Sequence, residues 1–470
     1  MDLNHTLASD VERTGHLMRR AGFGASLAEI QQRAQQGFDA TIKDLLDGAM
    51  APDDGQADWI LDAMQRQDRE GRLRPQMLKP WWIYRMVTTN RPLQEKMVLF
   101  WHGHFATSAT KVPQAELMLQ QNRFFRENAL ANWRDILKGV SRDAAMILWL
   151  DNNTNYKSQP NENYGRELME LFSLGIGNYS ETDVKEGARC FTGWGLRGGD
   201  FYFNPGQHDT GIKTYLGRVG NMDGDDLIDA ILDQPAAAEF LTRKLFAFFA
   251  YENAGPEVIG PLAEGFRRSN YDTRALVEAI FRSDAFWSGK ALNTQIKSPA
   301  QLVIGGLRAL NIGAALAPGE TVTADANDRN RLRRVYGGAS NSLKQMGQDL
   351  FYPPNVKGWD GGAAWINSAT MLARLSFAEE LTSIAGPLNA AGGIEQIAGS
   401  LAGRDSEEIV NTILSNLGPI TLPQRARDTL ARTVEPAGPT AMADVRGYQR
   451  VALVKQAVAL AMQSPQFQVC

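Results

Sequence analysis

Cysteine and histidine are the scarce residues of this 470-residue chain, with two of the first and five of the second. The cysteines, Cys190 and Cys470, lie far apart and neither sits in a CxxC-type spacing, which argues against a disulfide framework and a thiolate zinc site. An excess of one charge is also missing. Lys plus Arg total 49 against 53 Asp plus Glu, a net charge of −4, so no basic stripe invites nucleic acid. The longest apolar runs, Ala144 to Leu150 and Leu245 to Tyr251, fall far short of the ~20 residues needed to span a bilayer, so no transmembrane segment is expected. The first twenty residues contain no apolar h-region and no small-residue cleavage site. A soluble, cytoplasmic protein is the expectation, with export alongside a partner left open. GxGxxG, Walker, GxSxG and HExxH patterns are absent, and nothing points to a nucleotide, flavin or haem cofactor.

What is present reads as helix. Apolar residues make up 43% and charged residues 22%, ordinary for a chain with a sizeable core. Ser26-Leu-Ala-Glu29 and Ser180-Glu-Thr-Asp183 have the form of helix N-caps with an acid at the third helical position. Pro92 opens a helix through Trp101, and Gly175 falls where a left-handed C-terminal cap belongs. Alternating runs are few; Phe201–Asn204 against Lys213–Leu216 is the one hairpin suggested. The expected fold is all-α, a single large multi-helical domain over 1–470 with irregular regions at 193–224 and 311–362.

Three constellations could carry chemistry. In Phe100-Trp-His-Gly-His-Phe105, His104 falls on an apolar arc of the helical wheel and His102 on the more polar side with Glu95. The two rings diverge if the helix runs through Gly103 and converge if it ends there. In Asn161-Glu-Asn-Tyr-Gly-Arg-Glu-Leu168, Glu167 falls on the apolar face, where burial raises a carboxyl pKa and marks a site residue or an ion-pair member. Glu162, Arg166 and Glu170 form an i, i+4, i+8 stripe. In Gln207-His-Asp-Thr-Gly-Ile-Lys213, His208, Asp209 and Lys213 offer an acid/base, an orienting carboxylate and a cation. Trp194, Trp359 and Trp365 could stack on a sugar ring, although most of ten tryptophans belong in a core.

Taken in order, His16-Leu-Met-Arg-Arg-Ala-Gly-Phe-Gly24, Arg91-Pro-Leu-Gln-Glu-Lys-Met97, the two-histidine segment, the Glu167 segment, Ala188-Arg-Cys-Phe-Thr-Gly-Trp194, His208-Asp209 and Pro353-Pro-Asn-Val-Lys-Gly-Trp359 resemble domain-of-unknown-function family 1800 over essentially the full length. The resemblance implies a bacterial protein without a settled activity, encoded beside an exported, sulfatase-like protein, hence an envelope or polymer-related setting. Relatives often carry His where this chain has Phe172, so an E-x-x-E-x-H metal cluster is not available here.

The leading expectation is an enzyme using acid/base chemistry, a hydrolase or related enzyme cleaving a polar polymer such as a glycan. Glu167, His102, His208 and Asp209 would be catalytic, and Arg166, Trp194, Lys213 and Trp359 would bind substrate. A non-catalytic envelope or assembly partner is the alternative. A metalloenzyme holding a divalent metal, one such as zinc or iron, on His102, His104, Glu167 and His208 is the third.

Overall fold

The computed structural model describes residues 9–55, 57–313, 326–385, 393–401, 404–418, 420–435 and 447–470. Helices dominate them, and local punctuation explains where they start. Ser9 with Glu12, Ser180 with Asp183, Asp223 with Asp226 and Ser298 with Gln301 all close reciprocal capping boxes. Ser26 caps its helix through Glu29 N–H, and Gly175 adopts φ +80° just past its helix, both as the sequence suggests.

Among the described residues strand is confined to two antiparallel hairpins. Strand β1 (Trp194–Arg197) pairs with β2 (Asp200–Phe203), and β3 (Lys213–Tyr215) with β4 (Arg218–Gly220). The expected pairing of 201–204 with 213–216 does not form. Gly198-Gly199 and Leu216-Gly217 all have positive φ, so each hairpin closes on its own two-residue turn. The irregular region expected over 311–362 is corrected too. Residues 314–325 lie outside the described residues, but Ala326–Gln345 is a helix. Its Gly337-Gly338 pair is no break. A Cβ at Gly338 would come 2.7 Å from Glu380 Oε1, on the helix Ser368–Ala385 that packs against this one.

Helix Pro92–His104 runs through the interior, packed against helices Phe38–Met50, Pro75–Thr88 and Ala115–Glu127. Every residue of it except Gly103 is buried, so the polar side expected for Glu95 and His102 does not exist. Glu95 instead accepts from Trp82 Nε1 at 2.8 Å, Arg85 Nε at 3.2 Å and Arg126 Nε at 2.6 Å, which ties three helices together. These cations hold its carboxyl below the usual range although burial pushes the other way.

Candidate functional site

Because the helix runs through Gly103, the two histidines point apart and do different work. His102 Nε2 accepts from Phe351 N–H at 3.0 Å, and its ring meets those of Trp82, Phe351 and Trp359. Phe351 has φ +64°, a conformation bulky residues rarely adopt. His102 on its N–H and Ala109 N–H on its carbonyl, 2.9 Å, hold it there. The chain then crosses the helix end at Gly358, φ +86°, where a Cβ would lie 2.3 Å from the Gly103 carbonyl oxygen. His102 is therefore a fastening for the loop that carries Trp359. Burial drives its pKa down to about 3, so it is neutral while it accepts.

His104 faces the other way, into a second arrangement built by an irregularity. After helix Asn163–Glu167, residues Leu168–Ser173 form a π-helical turn, with Leu174 N–H reaching back to Met169 O at 2.8 Å. Two carbonyls near its end, where helical partners run out, are taken by side chains. His104 Nε2–H donates to Phe172 O at 3.0 Å, and Lys244 Nζ donates to Leu171 O at 3.0 Å. Since Nε2 carries the proton, His104 Nδ1 is an acceptor, and Lys244 Nζ donates to it at 3.2 Å. Burial, reinforced by the Lys357 charge, brings Lys244 down to about 8. Burial and the Lys244 charge hold His104 well below its ordinary pKa.

Lys244 and His104 line a cleft of about 340 Å³, the size of a small-ligand site. One wall is the end of helix 92–104, another is helix Pro235–Phe249 with Glu252 beyond it, and a third is the 357–365 loop with Trp359 and Trp365. Gln295, Gln301 and Gln348 add amides. Glu252 packs so closely on Gly362, φ +52°, that a Cβ there would lie 2.4 Å from its Oε1.

The other expected site residues lie elsewhere. Among the described residues no hydrogen bond, ion pair or ring contact links His102, Glu167 and His208, and none of the three lines the Lys244 cleft. Glu167 is half-buried rather than buried, because the wheel assumes an α-helical repeat that the π-turn interrupts. Its pKa is raised by burial and by Glu170. Arg166 pairs with Glu162 at 3.2 Å and Glu181 at 2.8 Å. His208 Nδ1–H donates to Thr192 O at 2.9 Å, Asp209 pairs with Arg189 at 2.7 Å, and buried Lys213 donates to Asp209 O, Gly211 O and Asn221 Oδ1. The Arg189 guanidinium holds Asp209 down to about 2. Trp194 is core, wedged between Phe191 and Phe201. No group of three His, Cys, Asp or Glu among the described residues is placed to hold a metal ion. His102, His104, Glu167 and His208 therefore do not form the ligand set that the metalloenzyme alternative needs.

Trp359, Trp365 and His104 are the expected residues that the cleft contains. Lys244, Glu252 and Lys357 were missed. Nothing local singles out Lys244 in Leu241-Thr-Arg-Lys-Leu-Phe246, and its partner histidine is 140 residues away in sequence.

No helix among the described residues is long and apolar enough to cross a membrane. Comparison with known families matches residues 16–469 to the model described as protein of unknown function (DUF1800), and the chain belongs to that family. No curated protein and no solved structure matches it.

Proposed function

We propose that this DUF1800 member is an enzyme doing acid/base chemistry in the cleft, with Lys244 as the titrating group and His104 as the residue that orients it. The observation that carries the reading is the 3.2 Å Lys244–His104 hydrogen bond on the cleft wall. A general base works best when its pKa lies near ambient pH, and at about 8 roughly a tenth of Lys244 is free amine at neutral pH. Two of its N–H groups are engaged by His104 Nδ1 and Leu171 O. Loss of the third proton leaves both bonds in place and puts a lone pair in the remaining direction. The amine is thus oriented in both protonation states.

Glu252 supplies a carboxylate to the same cleft, and Trp359 and Trp365 supply flat faces for a ring. Hydrolysis or a related cleavage of a polar polymer such as a glycan is the reaction class proposed. Lys244→Met should lower cleavage of a responsive glycan, found by screening the wild type on a panel, by about 100-fold or more, while the fold survives by circular dichroism. Undiminished cleavage by the variant would contradict the reading.

The non-catalytic reading draws on a different surface. Ile212 and Val219, 66% and 70% exposed beside the hairpins, offer apolar contact to a partner protein. Capture of a co-encoded protein that is lost in Val219→Ser but kept in Lys244→Met would favour it.

A further inference from the structure

Behind the cleft lining lie three buried cations, none of them in an ion pair among the described residues. Lys96 sits on the same stripe of helix 92–104 as Phe100 and His104, four and eight residues before them, and both of those line the cleft. It is fully buried, its Nζ makes no hydrogen bond, and it lies 5.3 Å and 5.0 Å from the ring centroids of Phe23 and Phe248. Phe248 is itself part of the cleft lining. Arg20, also fully buried, donates to Gln295 Oε1 and to Ala291 O, and its Nε has no partner. Gln295 lines the cleft from above. Lys297 lies between the lining residues Ile296 and Ser298, with its Nζ 3.8 Å from the Phe467 ring centroid.

Among the described residues none of these three cations is in an ion pair. Burial lowers Lys96 and Lys297 to about 7, and Cys470 offsets part of that effect at all three. A buried cation without an anion is costly, and natural interiors avoid it unless something else compensates. In the cleft itself Lys357 is paired with Asp360 at 2.7 Å, which leaves Lys244 and Glu252 as one further charge of each sign.

We propose that the deep end of this cleft receives an oxyanion of the substrate, a carboxylate, sulfate or phosphate group, held in the field of the Lys96, Arg20 and Lys297 layer and within reach of Lys244. The proposal rests on the enzyme reading of the same cleft and names its substrate class: an acidic, ring-bearing polar molecule. Interactions across a low-dielectric floor are screened far less than at an open surface, so cations that do not touch the ligand still favour it.

Calorimetric titration of the wild type with glucose, glucuronate, glucose 6-sulfate and glucose 6-phosphate separates charge from ring shape and one oxyanion from another. At least one acidic sugar should bind 10-fold or more tighter than glucose. In ¹³C-lysine-labelled protein the same sugar should move the Lys96 and Lys244 titration midpoints upward. Lys96→Met, which removes a costly buried charge and should fold at least as well, should lose that preference. Equal binding of neutral and acidic sugars, no binding of any at millimolar concentration, or a preference unchanged in Lys96→Met would overturn the proposal. An acidic-sugar preference together with undiminished turnover in Lys244→Met would remove Lys244 from the chemistry and leave the oxyanion site standing.

Discussion

The hairpin region around His208 and the cleft beneath the Trp359 loop are built from the same residue types, yet the protein satisfies them very differently. Around the hairpins Asp209 has Arg189, Lys213 has three oxygen acceptors, and His208 is fixed by Thr192. Around the cleft Lys96 has no hydrogen bond, and Lys244 keeps one N–H direction beyond its two acceptors. A segment rich in His, Asp and Lys is therefore no guide to chemistry by itself. What separates fastening from function is whether the protein's own groups already meet the polar demand of those side chains.

Acid separates the two regions with the largest effect. His102 is held at about 3 and His16 and His104 well below their ordinary value, so the folded state binds fewer protons than the unfolded one between pH 6.5 and about 3. Stability should fall as pH drops through that window, by up to about 5 kcal/mol for His102 alone. Asp143 acts oppositely. Burial raises it to about 6, so its contribution is present below pH ~4 and lost as pH rises through 6, on the order of 3 kcal/mol. Three histidines outweigh one carboxyl, and thermal melts should show a falling Tm from pH 6.5 to 4. The hairpin side should respond only later, because Asp209, lowered to about 2, loses its contribution between about pH 3.8 and 2. A melting temperature flat from pH 6.5 to 4 would break the comparison.

His102→Ala should cost about 3 kcal/mol in denaturant unfolding, since it opens a cavity among aromatic rings and strands the Phe351 N–H. It should also weaken ligand binding through the Trp359 loop, whereas a histidine that merely fills space would leave binding alone. Arg189→Leu, which strips Asp209 and Glu186 of their partner, should cost about 1–2 kcal/mol and leave cleft chemistry unchanged. Smallest of all is Glu167→Gln, at about 0.5 kcal/mol or less either way, because the half-buried carboxyl has no ion pair among the described residues to lose. Loss of turnover in that variant would return Glu167 to the chemistry.

Features governed by neighbours in sequence were legible: the caps at Ser26 and Ser180, the helical class, and the divergence of His102 from His104 once helix continuity was known. Features governed by packing were not. The wheel gave Glu95 a wet face, but three helices enclose it. It gave Glu167 a dry one, but a π-turn over Leu168–Ser173 rotates the apolar residues that defined that face. Lys244 comes to line the cleft only because helix 235–249 meets helix 92–104 and the end of that π-turn, a contact no local pattern encodes. Gly198-Gly199 was the overlooked clue, since that dipeptide alone specifies a two-residue hairpin turn.

The most direct measurement is the titration of Lys244 itself, followed in wild-type protein by ¹³C NMR of labelled lysines and assigned with Lys244→Met. A midpoint near 8 is expected, far below that of exposed lysines such as Lys43, whose pKa the Asp47 carboxylate raises. His104→Ala should change the chemical shift of that resonance by removing its hydrogen-bond acceptor. If Lys244 instead titrates with the exposed lysines near ~10.4, it is an ordinary ammonium at neutral pH. The cleft would then have no poised base.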